Sequence, residues 1–174
     1  VIWIVGVMNA MNFIDGMDSL ATVISLTVAA SFSVIALLRD DAFSLVIMLA
    51  LTGSLLGFYP WNKPPARIFM GDTGALFIGL ILAASSISRP SKSPTALLLG
   101  GPMLALALPV LDTLIVMRRR FQKDKPEPMR ERLARVFRAD RNHIHHILVG
   151  KYGTPRKAIL RIWLVTLLFA IAAV

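Results

Sequence analysis

Apolar and polar positions along the chain fall into blocks rather than interleaving. An apolar stub, residues 1–11, is followed by five long apolar segments at roughly 19–38, 42–58, 73–88, 95–117 and 159–174. The first of these is 20 residues without a charge. A helix needs about 20 apolar residues to cross a bilayer, with a lower limit near 17, so several segments sit close to that limit. Only helices and closed barrels satisfy their backbone in lipid. The segments lack the alternation of barrel strands and therefore predict helices. The expected fold class is an all-α, polytopic membrane helix bundle, with about five spans and a partial N-terminal one. Residues 1–174 read as a single membrane domain. The short stub, the apolar C-terminal segment and the missing initial Met lead to the expectation of a fragment of a longer, roughly ten-helix chain.

The connections differ in character. Arg39-Asp40-Asp41 predicts a tight turn, 59–72 a proline-bearing loop, 89–94 a short link and 118–158 a long basic loop. Counting crossings puts the loops at 9–18, 59–72 and 118–158 on one face, and the turns at 39–41 and 89–94 on the other. The basic loop makes the first face cytoplasmic by the positive-inside rule. Every unusual polar run then lies on that face, which predicts one composite site at a plasma-membrane surface. Within the basic loop, Met129, Leu133, Val136 and Phe137 recur at helical spacing among arginines. This pattern predicts a short amphipathic helix, either lying in the membrane interface or packed on the protein as a solvated basic helix.

Composition supports the membrane reading. The chain is 56% hydrophobic and 17% charged, with a mean hydropathy of +0.68. Soluble domains carry about 25% charged residues. The net charge of +9 would suit nucleic acid, yet 14 of the 19 Lys and Arg lie between Arg118 and Arg161. Cations gathered beside apolar spans fit a membrane face better, and no nucleic-acid partner is expected. Absence of cysteine excludes a disulfide framework and a thiolate metal site.

Three polar runs carry the candidate chemistry. The first is residues 9–18, with Asn9, Asn12, Asp15, Gly16, Met17 and Asp18. Its oxygens suit Mg²⁺, or a base and ribose; Asp18 or Ser19 could instead simply cap the next helix. The second runs from Asn62 to Gly74 and includes Phe69, Gly71 and Asp72. Prolines stiffen it, and Gly71 is expected to allow close backbone approach. Asp72 at a helix N-terminus could be a cap, or could hold a metal–phosphate complex. The third is Arg141-Asn-His143-Ile-His145-His146, which holds every histidine in the chain. Metal binding is one reading; neutralisation of a diphosphate by His and Arg is the better one. Asp112 is an acid inside an apolar segment, a functional candidate or a structural partner for Arg118 or Arg119.

These runs together resemble the polyprenyl-phosphate N-acetylhexosamine-1-phosphate transferases, the glycosyltransferase 4 family of WecA-like and MraY-like enzymes. The resemblance is carried by Asn12-Phe-Ile-Asp15-Gly16-Met17-Asp18, by Asn62 with Phe69-Met-Gly-Asp72-Thr-Gly, and by His143-Ile-His145-His146. It implies transfer of a sugar-1-phosphate from a UDP-sugar to undecaprenyl phosphate, releasing UMP, with Mg²⁺ (or Mn²⁺) as cofactor. It implies Asp72 as metal ligand, and Gly16, Met17, Asp18, Asn62 and Phe69 against the uridine, with Phe69 able to stack on the uracil. Asn12 and Asp15 would line the same pocket. His143 would face the diphosphate, with His145, His146 and Arg141 beside it. The Asp-Arg-x-His-x-His-His pattern is that of the WecA-like branch and favours a UDP-N-acetylhexosamine such as UDP-N-acetylglucosamine. The product would start a cell-surface polysaccharide such as O-antigen. A homodimer is one assembly the resemblance allows.

The chain departs from the family pattern at two small residues, Ser19 where glycine is usual and Ala75 where serine is usual. The family's acidic Asp-Asp motif has no counterpart on the expected cytoplasmic face; Asp40-Asp41 falls on the other. The expectation is that the pair lies upstream and that this stretch alone is inactive. Two rival classes fit the runs less well. A transporter with Asp15, Asp18, Asp72 and Asp112 along an ion path would place its acids at mid-membrane, whereas these gather at one surface. A non-catalytic scaffold would leave the Asn/Asp and His runs unexplained.

Overall fold

The computed structural model describes residues 1–87, 106–121 and 144–174, apart from the side chains at 119–121 and 144–147. Seven helices are present among the described residues: α1 Ile2–Ile14, α2 Leu20–Leu38, α3 Ala42–Asn62, α4 Gly71–Ile87, α5 Ala107–Phe121, α6 Ile144–Tyr152 and α7 Pro155–Ala173. No strand occurs among them. Two helices, α2 and α3, are long and apolar enough to cross a membrane; α1 and α4 are shorter apolar helices. Helix α7 has 19 residues but carries Arg156, Lys157 and Arg161 in its first two turns. The predicted segment at 95–117 is described only from residue 106, and the predicted amphipathic helix around Met129–Phe137 lies outside the described residues.

Helix α2 forms the centre of the bundle. It packs on α3 and α7, while α1 packs on α4 and α5. The shared core includes Met11, Ile14, Leu20, Ile24, Met48 and Leu82, all fully buried. Hydroxyls along α2 return to their own helix, as when Thr27 Oγ1 donates to the Val23 carbonyl at 2.9 Å and Ser33 Oγ to that of Ala29 at 2.9 Å. Such bonds pair these two donors within the apolar helix, whereas the buried Ser25 hydroxyl of the same helix has no partner among the described residues. Helix α3 is the rim. It exposes Phe43 (68%) and Val46 (66%), a surface that lipid covers without cost and water does not.

The turn at 39–41 forms as predicted, and its chemistry is structural. Asp40 adopts a left-handed φ of 53°. The Asp41 N–H then donates to the Ala36 carbonyl at 2.9 Å and the Asp40 N–H to that of Leu37 at 3.2 Å, which closes α2 in a Schellman motif. The Asp41 carboxylate accepts from the Ser44 N–H (3.2 Å) and hydroxyl (2.7 Å), capping α3. This Asp-Asp pair ends one helix and starts the next, at the opposite end of α2 from residues 15–19.

Two predicted loops are shorter than expected. Residues 9–14 belong to α1, so Asn9 and Asn12 project from a helix rather than from a loop. Helix α3 continues through Pro60 to Asn62; Pro60 offers no N–H to the Leu56 carbonyl, and the helix ends within the turn that contains it. The true connection is residues 63–70.

Helices α1 and α4 approach closely at Gly79. A Cβ built there would lie 2.7 Å from Met8 Cα and 3.3 Å from Met11 Cβ. Backbone cannot yield as a side-chain tip does, so even a methyl group forces the helices apart. Gly79→Ala is expected to destabilise the protein by about 1–3 kcal/mol, the range for overpacking. Denaturant unfolding in detergent checks this; an unchanged midpoint would show that the helices slide without penalty.

Candidate functional site

The C-terminal ends of α1 and α3 and the N-terminal ends of α2 and α4 meet at one end of the bundle, where the first two polar runs are tied together. Asn12, in the last turn of α1, donates from Nδ2 to Asp72 Oδ1 in the first turn of α4 at 3.0 Å. Asp15, just beyond α1, accepts from the backbone N–H of Gly71 and senses the charge of Asp72. Asp18 Oδ2 accepts from the Ala66 N–H at 3.0 Å. Residues some 60 positions apart thereby form one polar surface. The common face predicted for 9–18 and 59–72 is the observed one.

Asn62 works differently from expectation. Predicted to lie against a nucleotide, it is only 1% exposed. Its Oδ1 accepts from the Ser19 N–H at 3.1 Å and from the Thr22 hydroxyl, and its Nδ2 donates to the Ile68 carbonyl at 3.0 Å. Asn62 is a strut that joins the start of α2, the end of α3 and the 63–70 loop. Ser19 and Thr22 are its partners. Their spacing, one turn apart at the head of an apolar helix, was the available signal for them.

Ser19 precedes α2 with a φ of 63°, and its side chain makes no capping bond. The alternative that Asp18 or Ser19 merely caps α2 through its side chain therefore fails: Asp18 bonds Ala66, and Ser19 offers its backbone N–H to Asn62. A left-handed residue other than glycine costs roughly 1–2 kcal/mol. The glycine usual here in the resembled pattern has a conformational reason, and the buried bond to Asn62 holds Ser19 in place without it.

Gly71 also departs from expectation. Nothing lies within 4 Å of a Cβ built on it, so close approach is not why it is glycine. Its φ is +66°, which turns the chain into α4 and aims its N–H at Asp15. Gly16 is exposed, Met17 packs against the core, and Asn9 bonds its own helix at the Val5 carbonyl (2.7 Å). Phe69 is 71% exposed. With Met70 it forms the lip of an apolar cleft of about 490 Å³ between α3 and α4, walled by Leu51, Leu55, Phe58 and Phe77. A second apolar cleft of about 540 Å³ lies between α1 and α5, beside Asn9 and Phe13.

Asp15 is half-buried, and its carboxyl is pushed up from 3.8 to about 6. Desolvation is the main cause; the Asp72 charge adds to it and the Gly71 N–H opposes it. Two carboxylates at one point, one of them reluctant to ionise, form an electronegative spot that a cation would relieve. Among the described residues no three His, Asp or Glu side chains converge as a metal cage.

A raised folded-state pKa means that the fold favours the protonated acid. The associated stability is complete below pH 3.8 and is lost as pH rises through about 6. Asp15→Asn keeps an acceptor for the Gly71 N–H and removes the titration. Without divalent cations, this variant is expected to melt above the parent at pH 7.5 and level with it near pH 4. Equal shifts at both pH values would remove Asp15 as the cause.

The third run is not placed. Arg141 and His143 lie outside the described residues, and His145 and His146 open α6 with their side chains undescribed. Asp112 is buried on α5 (5% exposed).

A model for glycosyl transferase family 4 matches residues 1–89. Over all 174 residues the chain is 36% identical to the probable undecaprenyl-phosphate N-acetylglucosaminyl 1-phosphate transferase of Bacillus subtilis, covering 46% of that protein. Over 148 residues, 85% of the chain, it is 35% identical to the phospho-N-acetylmuramoyl-pentapeptide-transferase of Streptococcus mutans, covering 41% of it. It is 34% identical to the decaprenyl-phosphate N-acetylglucosaminephosphotransferase of Mycolicibacterium smegmatis, with 92% of the chain and 42% of the relative aligned. The chain spans a little under half the length of these relatives.

Proposed function

The chain belongs to glycosyl transferase family 4, and from that membership we propose that it forms part of an enzyme transferring N-acetylhexosamine 1-phosphate from a UDP-sugar to undecaprenyl phosphate, with release of UMP. The observation that carries this reading is the junction of Asn12, Asp15 and Asp72 at the polar end of an apolar bundle. Transfer between two phosphate-bearing substrates needs charge neutralisation and alignment more than covalent participation by the protein. Asp72, with Asp15 beside it, would hold Mg²⁺, which supplies neutralisation of the phosphate charge when bound.

The chain's own residues account for the positioning. Asn12 fixes the Asp72 carboxylate through a hydrogen bond to Oδ1, and Asp72 is exposed, so it is open to a ligand. Gly71 orients Asp15, while Asp18 and Asn62 pin the 63–70 loop that delivers Phe69. Phe69 offers an exposed ring for stacking on uracil. Arg141, His143, His145 and His146 would add positive charge against the diphosphate. The apolar clefts on either side of the junction give the lipid tail a path to a site at the membrane surface. The setting is a bacterial plasma membrane, with the site on the cytoplasmic face and the lipid-linked sugar starting a cell-surface glycan.

The complete protein is expected to release UMP from UDP-N-acetylglucosamine when given undecaprenyl phosphate and Mg²⁺. Omitting any of the three should stop release. Failure with every UDP-N-acetylhexosamine tried would overturn the proposed reaction.

A further inference from the structure

Helix α7 has two faces of opposite fate. Ala158, Ile159, Ile162, Thr166 and Ala170 are buried. The helix is locked to α2 in that orientation: Trp163 Nε1 donates to Thr27 Oγ1 at 3.1 Å, and Ser31 Oγ to the Ala170 carbonyl at 3.0 Å. The other face exposes Leu160 (52%), Leu164 (46%), Leu168 (67%) and Ile171 (64%). These positions recur at three- and four-residue intervals and form one stripe along the helix. At its N-terminal end the stripe runs into exposed Lys157 and Arg161.

The cations are concentrated and left without acid neighbours in sequence. Lys151, Arg156, Lys157 and Arg161 fall within eleven residues, and the chain has no Asp or Glu from 144 to 174. Lys157 and Arg161 stand four apart on one helix, a like-charge spacing that disfavours the helix unless an anion neutralises it. Gly153, with a φ of +73°, folds α6 back toward α7. Tyr152 is thereby placed under the Arg161 guanidinium, 3.8 Å from ring centroid to Cζ, with Lys151 Nζ at 5.7 Å. The stacked ring holds Arg161 at the head of the stripe.

A row of exposed leucines ending in clustered cations and an amphipathic aromatic ring matches the outline of one lipid molecule. We infer that the head of α7 is a binding site for an anionic phospholipid, its phosphate on Lys157 and Arg161 and an acyl chain along Leu164, Leu168 and Ile171. Clusters of Lys and Arg beside a membrane helix attract anionic headgroups, at a gain of about fivefold in affinity per cation. This site uses none of the residues of the Asn12–Asp72 junction, and its test reads lipid binding rather than the proposed reaction.

The test uses the complete protein carrying Leu168→Cys, labelled with a fluorophore; this stretch has no cysteine of its own to compete. Quenching is compared in vesicles containing brominated phosphatidylglycerol or brominated phosphatidylcholine with identical chains, so that only the headgroup differs. The labelled parent should prefer the anionic lipid by at least about fivefold, and the preference should fall in roughly 1 M salt, where charges are screened within about 3 Å. Lys157→Gln with Arg161→Gln should bring the ratio close to one. The charge-keeping pair Lys157→Arg with Arg161→Lys should preserve it. If the double neutral variant fails to fold by circular dichroism, each single Gln variant should still lower the ratio. A parent ratio near one, or neutral variants that keep the parent's ratio, would overturn the inference.

Discussion

Asp72→Asn is expected to cut UMP release by the complete protein about 10²–10³-fold, the usual scale for losing one electrostatic contact to a transition state. The substitution isolates charge from shape. Asn keeps a carbonyl oxygen at the Oδ1 position, so Asn12 Nδ2 still has its acceptor and the α1–α4 contact persists. Asp72 is exposed, so its loss leaves no buried orphan group. The melting temperature should therefore stay put while turnover collapses. A second readout comes from Asp15: its carboxyl is raised partly by the Asp72 charge, so the variant should titrate below about 6. Infrared difference spectra of the protonated carboxyl would follow that change. Unchanged turnover would exclude Asp72 from metal binding, whereas joint loss of turnover and stability would assign it a structural role.

Asn62→Ala acts on the fold before the chemistry. It removes the partner of the Ser19 N–H, the Thr22 hydroxyl and the Ile68 carbonyl together. A buried polar group left unpaired costs about 1–3 kcal/mol, and water reaching the Ile68 side offsets part of the total. The expected net loss is about 3 kcal/mol, a large fraction of the 5–15 kcal/mol typical of a folded protein. Thr22→Val removes one of the three bonds and should cost about 1 kcal/mol. Unfolding midpoints in nanodiscs would rank the two variants. Hydrogen exchange at the Ser19 and Ala66 amides should speed up in Asn62→Ala, because the strut under the 63–70 loop is gone. A small effect would mean that Asp18, through Ala66, holds the loop alone.

Helical class was legible because lipid-length apolar runs admit few structures. The sharing of one end by residues 9–18 and 59–72 was legible from counting crossings, since each span reverses the side of the next loop. Helix ends were less readable. Pro60 has the sequence signature of a breaker but lies within the final turn of α3, and the helix ends there at Asn62. Gly71 and Ser19 show the same limit: a small residue in a motif does not reveal whether it serves close approach or a left-handed φ.

By itself the sequence determined the helical class, the shared end of the first two polar runs and the residue types that mark the family. Those properties follow from composition and order, which local physics reads directly. Only the tertiary structure decided which polar groups are free to act and which are spent. Asn12 and Asn62 are the same residue type in neighbouring motifs, yet one reaches an exposed carboxylate and the other is sealed among three partners. That difference depends on how α1, α2, α3 and α4 converge. Burial turns a carboxamide from a ligand-facing group into a strut, and burial is a property of the packed helices, not of the motif.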